Sequence, residues 1–134
     1  MDIINLIIDL KYKCFQSEQK IMAKLKLDLS EYQAINKIED NHNITCNEIA
    51  KLINLSVSRS SRVIDKMVKK NILRRVTDKE DKRSKLISLT KTGIRIKHEI
   101  NEQKKICEEK ITGAFNKNEL SVIESNIKKL IKAL

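Results

Sequence analysis

No proline occurs in the 134 residues, and glycine occurs only at positions 93 and 113. These two residue types most often interrupt helices, so the chain is read as mostly helical with short connections. Aromatic residues are scarce, which leaves Ile and Leu to build the core. The length suits a single domain, 1–134, which at this size removes about two-thirds of its unfolded surface from water.

Apolar spacing places the helices. The first runs over about residues 2–26, with Ile3, Ile4, Ile7, Cys14, Ile21, Met22 and Leu25 near one stripe. Leu6, Ile8, Leu10 and Phe15 widen that stripe. Four polar residues then stand where helix N-caps are expected. Ser30 with Gln33 and Thr45 with Glu48 have the capping-box spacing, and Ser56 and Thr90 precede further apolar-periodic runs. Ala34, Ile35 and Ile38 face inward from the second helix, Ile49, Leu52 and Ile53 from the third, and Val63, Ile64, Met67 and Val68 from the fourth. Asn71 stands where a left-handed C-cap is expected. Thr90 opens a helix over about 91–112, and Asn116 with Glu119 opens the last one.

One stretch breaks this pattern. "DKEDKRSK", residues 78–85, has seven charged residues in eight, and lies between "ILRRVT" and "KLISLT". The flanking runs have strand character, so the segment reads as a β-hairpin with a charged tip. Two short helices joined by a tight turn and followed by a two-stranded wing make a winged helix-turn-helix. The expected fold is therefore mainly α (α+β), with long N- and C-terminal helices around a winged lobe at 29–90.

Charge agrees with that arrangement. The chain carries 28 Lys/Arg against 18 Asp/Glu, a net +10. Residues 45–90 hold 12 and 5, a net +7, and the other 88 residues hold 16 and 13, a net +3. A basic field on a helix-wing unit implies double-stranded DNA as partner. A membrane surface would call for one basic amphipathic helix instead. The opening "MDIINLIIDL" is short, interrupted by Asp2, Asn5 and Asp9, and lacks a basic leader, so a cytoplasmic protein is expected. Cys14, Cys46 and Cys107 are odd in number, far apart and outside any CxxC, which suits a reducing compartment. His42 and His98 stand alone, so neither a metal site nor a bound cofactor is expected, and no nucleophile–base set points to an enzyme.

The stretch Leu55 to Gly93, "LSVSRSSRVIDKMVKKNILRRVTDKEDKRSKLISLTKTG", resembles the MarR family of bacterial transcription regulators. "IDKM" at 64–67, "ILRR" at 72–75, Asp81-x-Arg83 and "LTKTG" at 89–93 carry the resemblance. "LSEYQ" at 29–33 and "CNEIAKLI" at 46–53 add to it. Lys79 stands where the family usually has Pro, Asn71 where it usually has Gly, and Ser60 where an apolar residue is more common.

The resemblance implies a homodimer in which helices at 1–28 and 91–134 interdigitate, placing two recognition helices about one DNA turn (34–36 Å) apart on a palindrome. Ser56, Ser58, Arg59, Ser60, Ser61 and Arg62 would read the major groove. Arg83, braced by Asp81, would enter the minor groove. Lys79, Lys82 and Lys85 would meet phosphate, with Lys66, Arg74 and Arg75 as less specific contacts. The family also implies a small aromatic or anionic effector in a crevice. Tyr12, Phe15, Tyr32 and Ile100 are candidates to line it. Repression is the expected sign of regulation. Two alternatives remain open: a winged-helix module that docks on proteins, and a redox-responsive regulator acting through Cys14. The first calls for an apolar recognition helix. For the second, counting back from "LSEYQ" puts the place equivalent to the cysteine of redox-sensing relatives near Leu6, not at Cys14.

Overall fold

The computed structural model describes residues 1–77, 79, 80 and 85–134. Six helices and a small sheet follow in the order α1 (Ile3–Leu25), α2 (Leu29–Lys37), β1 (Ile44–Thr45), α3 (Cys46–Leu52), α4 (Val57–Lys69), β2 (Leu73–Thr77), β3 (Lys85–Leu89), α5 (Lys91–Ala114) and α6 (Lys117–Ala133). This is the expected mainly α winged helix-turn-helix. The chain divides into two compact units, Met1–Ile100 and Asn101–Leu134.

In the first unit the helix ends are set by local chemistry. Three helices close without glycine. Lys26, Asn54 and Asn71 take left-handed conformations with φ of 56°, 57° and 60°. In each case the next residue's N–H reaches back to a carbonyl five residues earlier: Leu27 to Met22 (2.9 Å), Leu55 to Ala50 (3.0 Å) and Ile72 to Met67 (2.9 Å). That is the Schellman closure, with Asn or Lys where glycine is more usual. The α3–α4 turn is therefore tight, as a helix-turn-helix needs.

The start of α2 differs from the sequence expectation. Asp28, not Ser30, is the N-cap. Its Oδ1 accepts from the Glu31 N–H at 2.9 Å, and Glu31 Oε1 accepts from the Asp28 N–H at 3.0 Å. Leu27 and Tyr32 flank this box and are both buried, the positions of a hydrophobic staple. The staple favours this register because a cap at Ser30 would leave neither residue at its proper place. Thr45 and Ser56 cap α3 and α4 as expected, and the Thr90 hydroxyl accepts from the Gly93 N–H at the start of α5.

The sheet has three strands, not two. Its order is β1-β3-β2, all antiparallel. β1 pairs Ile44 with Ile87, and β2 runs against β3 from Leu73↔Leu89 to Thr77↔Lys85. The core gathers Ile21 and Met22 of α1, Ala34 and Ile35 of α2, Ile49 of α3, Ile64 and Met67 of α4, Leu73, Ile87 and Leu89 of the sheet, and Ile100. Leu52 is exposed rather than inward, since it lies in the last turn of the short α3. Cys14 and the apolar residues Ile3, Ile4, Leu6, Ile8 and Leu10 of α1 are exposed too. Their stripe is real but is not covered within the chain.

In the second unit Asn116 caps α6 through its Oδ1, which accepts from the Glu119 N–H at 2.8 Å. Lys128 holds the Glu124 carboxyl below its ordinary range. Ile106, Ile111, Phe115, Val122, Ile127, Leu130 and Ile131 are exposed. Among the described residues no helix is long and apolar enough to cross a membrane.

Candidate nucleic-acid interface

Helix α4 has three faces. Ser60, Ile64 and Met67, at i, i+4 and i+7, are buried. Ser58, Arg62 and Lys69 lie at the opposite pole and are exposed. The flanks carry the remaining charge, of which Asp65 and Lys66 are tied to neighbouring elements and Arg59 is not, among the described residues.

At its N-terminus, Ser56 Oγ accepts from the Arg59 N–H at 3.3 Å and lies 3.4 Å from Ser58 Oγ. Arg59 and Arg62 have no carboxylate partner among the described residues, and neither does Lys69. Two arginines and two hydroxyl groups thus stand together at the first turns of an exposed helix. This is the donor set that base edges and phosphates require.

Ser60 does not belong to that surface. It is wholly buried, and its Oγ has no hydrogen-bond partner among the described residues. An unsatisfied buried hydroxyl costs about 1–3 kcal/mol. Ser60→Ala is therefore expected to raise stability by about 1 kcal/mol in urea unfolding, while DNA affinity stays the same. A destabilised variant would show that the hydroxyl has a partner.

One flank of α4 faces the α1–α2 corner. Lys66 Nζ lies 2.7 Å from Asp28 Oδ2 and 3.7 Å from Glu31 Oε1. Lys70 Nζ lies 2.9 Å from Glu31 Oε1 and 2.8 Å from its Oε2, and donates to the Lys26 carbonyl at 2.9 Å. Glu31 has no exposed surface. Partial burial alone would raise the Asp28 pKa, but the Lys66 ammonium and the Glu31 N–H outweigh it and hold it below the ordinary value. The Asp28 hydrogen bond and the nearby Glu31 charge raise that of Lys66. The other flank faces β2, where Arg75 pairs with Asp65. Arg74 Nε donates to Ser88 Oγ at 3.0 Å. Lys66 and Arg75, expected at phosphate, are thus engaged within the chain.

Lys79 and Lys85 are exposed. Asp81, Lys82 and Arg83, the expected minor-groove finger, lie outside the described residues. Cys46, Ser61, Ile64, Asp65, Arg75, Lys85 and Ile87 line a cavity of about 420 Å³ between α4 and the base of the hairpin. The four residues expected to line an effector crevice take different places. Tyr32 and Ile100 are core residues, Phe15 packs against the core, and Tyr12 is exposed. Among the described residues no three His, Cys, Asp or Glu come together as metal ligands.

The model of the MarR family matches residues 27–85, from the α1–α2 corner to the start of β3. Residues 27–85 are similar to the MarR family. The fold of the chain is similar over nearly the whole length to solved relatives. A point mutant of MepR from S. aureus aligns with a TM-score of 0.83 at 18% identity, covering 99% of this chain and 98% of that one. The apo form of E. coli MarR aligns with 0.74 at 21%, covering 97% of each. A MepR–DNA complex from S. aureus aligns with 0.69 at 17%, covering 96% and 98%. No curated protein sequence matches.

Proposed function

We propose that the chain is a DNA-binding transcription regulator that acts as a homodimer on a palindromic operator, most simply as a repressor released by a small aromatic or anionic effector. The observation that carries this reading is the exposed, basic, hydroxyl-rich start of α4. It stands beside an antiparallel hairpin in a stretch similar to the MarR family. A solved relative with the same fold is a complex with DNA. Protein docking is disfavoured, because the pole of α4 is cationic rather than apolar.

Dimerisation is supported by the apolar residues left uncovered in each unit, Ile3, Ile4, Leu6, Ile8 and Leu10 in the first and Val122, Ile127, Leu130 and Ile131 in the second. Exposed apolar surface on this scale marks an association site. An effector would act by binding the DNA-competent and incompetent arrangements unequally. A redox route through Cys14 has only its exposure in favour.

Selection of bound duplexes from a random pool, at two salt concentrations, tests the reading. A palindrome with half-sites about one turn apart is expected. Binding with no recovered motif would mean that the basic field lacks base readout. Arg62→Ala should then weaken operator binding at least tenfold, about 1.4 kcal/mol, and reduce the salt slope by about one. An unchanged affinity would remove Arg62 from the interface.

A further inference from the structure

The cations of α4 make one continuous stripe in sequence. Arg59, Arg62, Lys66, Lys69 and Lys70 follow each other at spacings of three, four, three and one. On a helix this puts all five on one side. The structure does not leave the stripe whole. Asp28 and Glu31 take its Lys66 and Lys70 members, and Arg59, Arg62 and Lys69 have no carboxylate partner among the described residues.

We propose that Asp28 and Glu31 are specificity-determining residues: from the α1–α2 corner they mask one flank of α4, so that the helix meets DNA through Arg59, Arg62 and Lys69 and sequence-independent binding is held down. The inference rests on the DNA-binding reading above and names how the same site is tuned.

A helix with its side chains is about 10–12 Å across. The major groove is about 12 Å wide. A helix seated there presents its pole to the base edges and its flanks to the sugar-phosphate walls. Lysines on a flank are wall contacts, available on any sequence and in any register. Phosphate neutralisation supplies essentially all of non-specific affinity but only a share of specific affinity. Free lysines at 66 and 70 would therefore strengthen binding everywhere on a genome, against the ratio on which regulation depends.

The mask works even though the Lys66–Asp28 pair is half exposed and weak by itself. If Lys66 swings to a phosphate, the Asp28 carboxylate is left bare beside the same wall and repels it. The unit contributes no net charge in either arrangement. Lys70 is held more firmly, by hydrogen bonds to Oε1 of the buried Glu31 carboxylate and to the Lys26 carbonyl, with Oε2 within ion-pair distance but not hydrogen-bonded.

Asp28→Asn isolates the effect. Asn caps a helix as well as Asp. Its Oδ1 keeps the bond from the Glu31 N–H, while its amide nitrogen replaces the oxygen that Lys66 now faces. The experiment measures affinity for a random, operator-free duplex of fixed length against salt, for the parent, Asp28→Asn, Lys66→Gln and the double variant. All four are assayed at a temperature where circular dichroism shows them folded. Asp28→Asn is expected to steepen the salt slope by about one and to tighten non-specific binding about fivefold or more at 0.1 M salt. Lys66→Gln alone bares the Asp28 carboxylate and should bind no more tightly than the parent, and adding it to Asp28→Asn should return the slope to the parental value. A parental slope in Asp28→Asn would overturn the mask while leaving the DNA reading intact. So would a double variant whose slope stays steeper than the parent's, since Lys66 would then not be the cation that Asp28→Asn frees. A parent chain that binds neither this duplex nor any selected one would overturn the DNA reading itself.

Discussion

Gly93→Ala is expected to lose about 3 kcal/mol or more of unfolding free energy, read as a fall in the urea midpoint. A Cβ at position 93 would lie 2.3 Å from the Ile72 carbonyl oxygen, 3.3 Å from its carbon and 3.1 Å from Leu89 Cδ2. The collision is with backbone, and that backbone cannot retreat. The Ile72 carbonyl accepts the Thr90 N–H at 3.0 Å, and the Ile72 N–H closes α4 on Met67 at 2.9 Å. The Thr90 hydroxyl, which caps α5, lies 2.6 Å from the Asn71 carbonyl oxygen and 3.1 Å from that of Ile72. Leu73 and Leu89 are paired across the sheet and buried. Overpacking a core costs about 1–3 kcal/mol when neighbours can shift, and more when they cannot. Gly113 is the matched control. Nothing lies within 4 Å of a Cβ there, and the residue sits near the end of α5. Gly113→Ala should be neutral or stabilise by up to about 1 kcal/mol. Equal effects at both glycines would mean that helix propensity, not the approach of α5 to the α4–β2 junction, decides what glycine does here.

The contrast between the glycines shows what the sequence reveals. That α4 ends at Asn71, that β2 and β3 pair, and that Thr90 starts a helix were all legible, because each rests on a local preference. The same holds for the Ser56 cap and for the exposure of Arg59 and Arg62. What was not legible depends on contacts distant in sequence. β1 is two residues long and exists because Ile44 meets Ile87, forty-three positions on, a pairing that no local pattern encodes. Ser60 looked like one more hydroxyl in a Ser/Arg run, although its spacing from Ile64 and Met67 places it on their face. Its departure from the family's apolar preference was the signal available. Pairing of Lys66, Arg75 and the cations near them with Asp65 or a glutamate is legible as an alternative to phosphate, but that Lys66 meets Asp28, thirty-eight positions upstream, is not.

Glu31 is the clearest such case, and Glu31→Ala carries the second large expected effect, a loss of about 2–4 kcal/mol in the same unfolding measurement. A charged residue beside a helix start is ordinarily solvated, yet this one is buried as deeply as Ile35. Removing one member of a buried ion pair costs about 3–5 kcal/mol, because the other is left uncompensated. Here the figure is discounted, since Lys70 is about one-third exposed and its ammonium can turn to water. The loss of the return bond to the Asp28 N–H and the space left by the side chain add to it. Glu31→Gln keeps an acceptor for that N–H and fills the space, so it should cost less than half as much. A Glu31→Ala chain within 1 kcal/mol of the parent would show that the corner stands on Leu27 and Tyr32 alone. The corner also gives the fold an acid limit. The folded Asp28 carboxyl lies below its unfolded value, so its contribution is present above the unfolded pKa and is lost as pH falls through the folded one. Stability and DNA affinity thus meet at one place in the chain: the carboxylates that hold α2 against α4 are also those that decide how much of the recognition helix remains positive.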